Sequence, residues 1–148
     1  MRRLWLLIPV ILGASPVGAA SWWAGGVQVL AGTVLGYAGG FVGAQAAAAL
    51  VRALDLGLVN GVLAPILAAY VGYALGSTVG AWVGVSWSGL GLGIPGDPWS
   101  ALWGAGLGTG LAYFFASFFD WEWALRLGPP FAALGATLMF SWPFPALP

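Results

Sequence analysis

Nearly all the acid–base and ionic chemistry open to this chain rests on eight side chains. They are the acids Asp55, Asp97, Asp120 and Glu122 and the bases Arg2, Arg3, Arg52 and Arg126. There is no Cys and no His. That removes thiolate nucleophiles, imidazole bases, disulfides and the usual ligands of zinc, copper, haem and iron–sulfur clusters. A carboxylate-only cation site would need several acids converging, and Asp120 with Glu122 in one short turn is too little for that. Glu122 and Arg126 stand i to i+4 with the acid first, and Arg52 and Asp55 stand i to i+3. Both read as exposed pairs at helix ends, worth roughly 0.2–0.5 kcal/mol each. The expectation is no catalytic residue, no metal and no cofactor, so the chain is read as not an enzyme.

The glycine string Gly104-Ala105-Gly106-Leu107-Gly108-Thr109-Gly110 invites comparison with a phosphate-binding loop. No Lys-Ser or Lys-Thr follows it, and no strand of a βαβ unit precedes it. It lies inside an apolar helical stretch and reads as packing.

The elements that must carry these residues are set by composition. The chain is 61% hydrophobic and 5% charged, against roughly 25% charged in soluble domains. Eight charges cannot cover a soluble fold of 148 residues, so the chain belongs in a membrane. Its zero net charge excludes the clustered Lys and Arg that nucleic acid requires.

Every fourth residue from position 64 is small: Ala64, Ala68, Gly72, Gly76, Gly80, Gly84 and Ser88. On a helix this row forms a nearly continuous groove down one face, where two backbones can approach closely. Such a groove is either filled by a neighbouring segment of the same chain or left as a docking surface. Similar spacing recurs at Gly32, Gly36 and Gly40, with Gly43 near the same face, and at Gly104, Gly108, Ala112 and Ala116.

Four helical spans are predicted, at about 27–54, 60–87, 99–119 and 123–142, forming one closely packed domain over residues 20–148. The first, longer than about 20 residues, must tilt, bend at Gly39-Gly40 or protrude. Asp97-Pro98 reads as an N-cap followed by proline at the first helical position. Gly128-Pro129-Pro130 interrupts the fourth, which is read as a single proline-kinked span, the alternative being that Trp121 to Leu127 lies in the interface before a short, partly inserted helix. A transmembrane β-barrel would alternate apolar and polar residues over stretches of about ten, and the long apolar runs here do not.

Arg2 and Arg3, an apolar run from Leu4 to Leu12, Gly13, Pro16 and small residues up to Ala19 match a secretory signal peptide over residues 1–19. The alternative is a retained anchor extending toward Trp23. Both place Trp22 and Trp23 outside. Arg52 and Arg126 fall in alternate turns, while the turn between them holds only Asp97. The positive-inside rule then puts both arginines in the cytoplasm and both mature termini outside. The expected location is a bacterial membrane, the cytoplasmic (inner) one. Trp22, Trp23, Trp87, Trp99, Trp103 and Trp142 cluster near the outer ends, as an aromatic belt does.

No ionisable Asp, Glu, Lys or Arg falls within a predicted span, which argues against proton-coupled transport. Gln45, Ser77 and Thr78 are the polar residues singled out, as interhelical hydrogen bonds or as pore lining. Gly36-Tyr37-Ala38 and Gly72-Tyr73-Ala74 form a faint echo, explained by shared groove-forming composition.

The rows Gly32, Gly36, Gly40 and Gly72, Gly76, Gly80, Gly84 resemble the bacterial glycine-zipper membrane proteins. That packing class spans oligomeric channels and small membrane proteins of other kinds, so the resemblance implies close helix association and no particular activity. Fluoride channels are also small four-helix proteins with Gly-rich helices, but their polar and aromatic filter signature is not found here. The expected function is a non-catalytic structural or accessory role, through lateral association with other membrane subunits or with copies of itself, amid lipid. The alternative is a homo-oligomeric pore or small-solute channel.

Overall fold

The computed structural model describes residues 21–54, 63–119 and 121–141. The signal region, the turn holding Asp55, and Asp120 and Trp142 lie outside the described residues. Those described form four helices: α1 (Ser21–Ala53), α2 (Leu63–Gly91), α3 (Pro98–Ala116) and α4 (Trp121–Phe140). No strand occurs among them. Two, Trp22–Ala53 within α1 and Leu63–Gly91, are long and apolar enough to cross a membrane.

Several boundaries differ from the sequence expectation. α1 starts six residues earlier than position 27 and α2 runs to Gly91 instead of Trp87. At that end Gly93 adopts φ 68°, the left-handed conformation glycine tolerates without strain. Its N–H donates to Leu90 O at 3.1 Å and that of Ile94 to Gly89 O at 3.0 Å. This is the Schellman arrangement, with Ile94 packed on the core as its hydrophobic contact. α3 opens at Pro98 with Asp97 as N-cap, and stops at Ala116, three residues before the expected end. α4 continues through Pro129 and Pro130 as one helix.

The chain folds as two antiparallel hairpins, α1–α2 and α3–α4. In cross-section they form a lozenge: α2 and α4 touch along the short diagonal, while α1 and α3 barely meet. The core is built largely of alanine, with Ala81, Ala105, Ala132, Ala133 and Ala136 fully buried around Val85 and Phe140. Small core residues follow from the close helix spacing.

The hairpins differ in length. α1 and α2 have 33 and 29 residues, against 19 and 20 for α3 and α4. At 1.5 Å per residue they rise roughly 50 and 44 Å, and roughly 28 and 30 Å. All four are level at the α2–α3 turn, where Asp97 N–H donates to Phe140 O at 3.1 Å. At the opposite end the long hairpin overhangs as a two-helix stem. None of residues 41–54 and 63–71 is buried.

Candidate functional site

The small-residue row of α2 is occupied by α1. A side chain at Gly76 would run into the backbone of Gly39, at Gly80 into Leu35 O, and at Gly72 into Gly43 and Ala47. At Gly84 an added Cβ would lie 2.6 Å from Ala31 O. From Gly72 to Gly84, then, the groove is not a free docking surface. Ala64 and Ala68, at the stem end of the row, are half-buried.

On α1 the closest glycines are Gly39 and Gly43, one residue off the Gly32-Gly36-Gly40 row. That row faces both α2 and α4. Gly32 admits Val85 and Ala133, Gly36 lies against Pro129, and Gly40 lies under the Tyr73 ring. On α3, Gly104 and Gly108 pack on α4 at Gly135 and Phe131, and Ala112 and Ala116 are buried. Gly135, not anticipated from the sequence, is the reciprocal partner of Gly104.

Polar side chains are held at three levels of the bundle. Near the level end, Gln28 is 1% exposed and its amide donates to Val85 O at 3.4 Å. At mid-height Thr78 and Thr109 share a 2.8 Å hydroxyl–hydroxyl bond linking α2 to α3. Thr78 also reaches Ala74 O at 2.8 Å, and Ser77 reaches the same carbonyl at 3.0 Å. Toward the stem, the Tyr37 hydroxyl donates to Arg126 O at 2.6 Å and that of Tyr73 to Leu125 O at 2.9 Å.

The three polar residues singled out from the sequence, Gln45, Ser77 and Thr78, fall in two different settings. Ser77 is buried and Thr78 half-buried, and both are engaged within the bundle. Gln45 is exposed, at a different height, on the wall of an open cleft. That cleft, ≈ 380 Å³, lies between the stem helices over Ala44, Ala48, Pro65, Ile66 and Ala69, with Gln45 and Arg52 as its polar groups. The structure therefore does not bring Gln45 together with Ser77 and Thr78. Gln28 is the glutamine held inside, and the sequence carried the signal: it stands four residues before Gly32, on the inward row.

The charged groups lie at helix ends. Arg126 pairs with Glu122 at 3.3 Å, both well exposed. Asp97 caps α3, accepting from Ser100 Oγ at 2.6 Å, Ser100 N at 2.8 Å and Trp99 N at 3.2 Å. The Ser100 hydroxyl, then the Ser100 and Trp99 amides, hold its carboxyl below the usual 3.8. Among the described residues no three His, Cys, Asp or Glu side chains gather to hold a metal. Among the described residues the arrangement supplies hydroxyls and amides for hydrogen bonding. Comparison with protein-family models, curated proteins and solved structures finds no match to this chain.

Proposed function

We propose that this chain is a non-catalytic integral membrane protein, embedded by all four helices, with a structural or accessory role exercised through lateral contacts. The observation that carries the reading is the inversion of its surface. Gln28, Ser77 and Thr109 are buried, while Leu30, Val34, Leu75, Val79, Leu107 and Phe114 are exposed along the helix flanks. A contiguous apolar exterior of that extent is untenable in water and natural in hydrocarbon. The roughly 30 Å rise of α3 and α4 matches the hydrocarbon thickness. Trp22, Trp87, Trp99 and Trp103 are exposed near the level end, which suits an interfacial belt. Arg52 and Arg126 lie toward the opposite end, supporting a cytoplasmic stem, both mature termini outside, and the bacterial inner membrane as location.

With the α2 groove filled by α1, lateral association needs another surface. A Cβ added at Gly106 or Gly110 on α3 would meet no atom of a neighbouring described element within 4 Å, and the two stand four residues apart on an exposed face. They are the positions we assign to contact with a second membrane helix, from another subunit or another copy. The exposed flanks offer mostly Leu, Val, Phe and Trp to any central axis, so no observation favours the pore reading.

Blue-native electrophoresis from mild detergent tests this. A species larger than the monomer is expected, and Gly106→Leu with Gly110→Leu should convert it to monomer while leaving the fold intact. A strictly monomeric wild type at every detergent concentration would remove the association claim. Release of the protein by alkaline carbonate would remove the membrane claim.

A further inference from the structure

We infer that Pro129-Pro130 is a hinge in α4 and that Tyr37 and Tyr73 are its clamp, each phenol standing in for one missing backbone amide. In an α-helix the N–H of residue i bonds the carbonyl of residue i−4. Pro129 therefore leaves Leu125 O without its donor, and Pro130 leaves Arg126 O without its own. Those are the two carbonyls the tyrosines reach, Tyr73 to Leu125 O at 2.9 Å and Tyr37 to Arg126 O at 2.6 Å. Two prolines vacate two acceptors, and two hydroxyls fill them one to one.

The surroundings are shaped for this. Tyr37 and Tyr73 come from different helices, α1 and α2, yet each follows a glycine in a Gly-Tyr-Ala triplet. A Cβ at Gly36 would meet Pro129 Cβ at 3.0 Å, and one at Gly40 would meet Tyr73 Cε2 at 2.8 Å. The echo between Gly36-Tyr37-Ala38 and Gly72-Tyr73-Ala74 thus has a use that shared composition does not explain. Two adjacent missing hydrogen bonds make a helix easy to bend. The stem-side turns of α4, from Trp121 to Gly128, are tied by these two bonds to groups on the other hairpin. In a bilayer the alternative partner, water, is absent. The pairing itself does not depend on the membrane reading.

The test uses the full chain in one detergent, with thermal midpoints for Tyr37→Phe, Tyr73→Phe, Pro129→Ala, Pro130→Ala and the four tyrosine–proline double variants. Each Tyr→Phe should lower the midpoint by about 2–4 °C. Pro129→Ala should abolish the Tyr73 penalty and leave that of Tyr37, and Pro130→Ala the reverse. A spin label at Trp123→Cys, in a chain with no native cysteine, should gain mobility in the double Tyr→Phe variant and lose it again when both prolines become alanine. Penalties that persist unchanged in the matched Pro→Ala background, or vanish equally in the unmatched one, would overturn the assignment. An unaltered label in the double phenylalanine variant would overturn the hinge.

Discussion

In the α1–α2 hairpin the closest approaches are backbone on backbone: Gly39 over Gly76, Gly43 over Gly72, and Gly84 against Ala31. In α3–α4 the same device appears at Gly104 with Gly135 and at Gly108 with Phe131. There, however, one partner carries two prolines in its interior. The long hairpin extends past the short one as a stem in which no residue is buried. The short one takes two hydroxyls from the long hairpin to complete α4. Glycine contact can join two helices, but it cannot supply a hydrogen-bond donor. The difference makes α1–α2 the frame and α3–α4 the dependent part.

The largest effects are expected where backbone meets backbone. Gly76→Leu or Gly80→Leu drives a side chain into the peptide of Gly39 or Leu35, which cannot swing aside as a rotamer can. The cost should reach or exceed the upper end of the about 1–3 kcal/mol usual for overpacking. Folded yield should fall severalfold, while Leu75→Ala and Val79→Ala, at 64% and 49% exposed positions, should stay near wild type. Gly104→Leu should also destabilise strongly, with damage confined to α3–α4. Limited proteolysis of the two variants separates the outcomes: the Gly104 variant should keep a protected α1–α2 fragment and the Gly76 variant should not. Equal protection would erase the distinction between frame and dependent hairpin.

A smaller effect is expected at mid-height. Thr78→Val and Thr109→Val remove the 2.8 Å bond between hairpins, and a double-mutant cycle should return a coupling of about 0.6–1 kcal/mol. No coupling would mean the two threonines serve only their own helices.

Much of the long hairpin was legible because every member of the α2 row is small, so its four-residue spacing could mark only one face. α4 was less so. Pro129-Pro130 read as an interruption, since nothing within α4 supplies the missing donors. The two that do, Tyr37 and Tyr73, lie 93 and 56 positions from Pro130 and Pro129 along the chain. Gly135 was hidden for the same reason, falling in the segment with the least certain outline. Gln45 stands out for its polarity, but it is exposed on the wall of the open cleft between the stem helices. Gln28 shares a row with Gly32 and Gly36, and spacing was the better guide than polarity.

The smallest expected effect is at the cap of α3. Asp97→Ala should cost about 1 kcal/mol, seen as a modest drop in thermal midpoint. The folded carboxyl titrates below 3.8, so its contribution is full above about pH 4 and fades as pH falls through the lowered value. The wild type should therefore converge on Asp97→Ala in strong acid. A gap between the two that persists unchanged below that range would mean the carboxylate is not what caps the helix.

The most direct test of the account is whether α1 of the same chain fills the α2 groove. Ala48→Cys with Ala69→Cys places two thiols on the same cleft between α1 and α2, next to the Gly72–Gly84 contacts and not at the glycines, where no side chain fits. Oxidation in native membranes should give rapid, quantitative cross-linking within one chain, migrating as monomer on denaturing gels. Coexpressed single-cysteine variants should give no heterodimer. Cross-linked dimers as the main product, with little cross-link inside the chain, would show that the groove is filled by a partner and contradict the fold described.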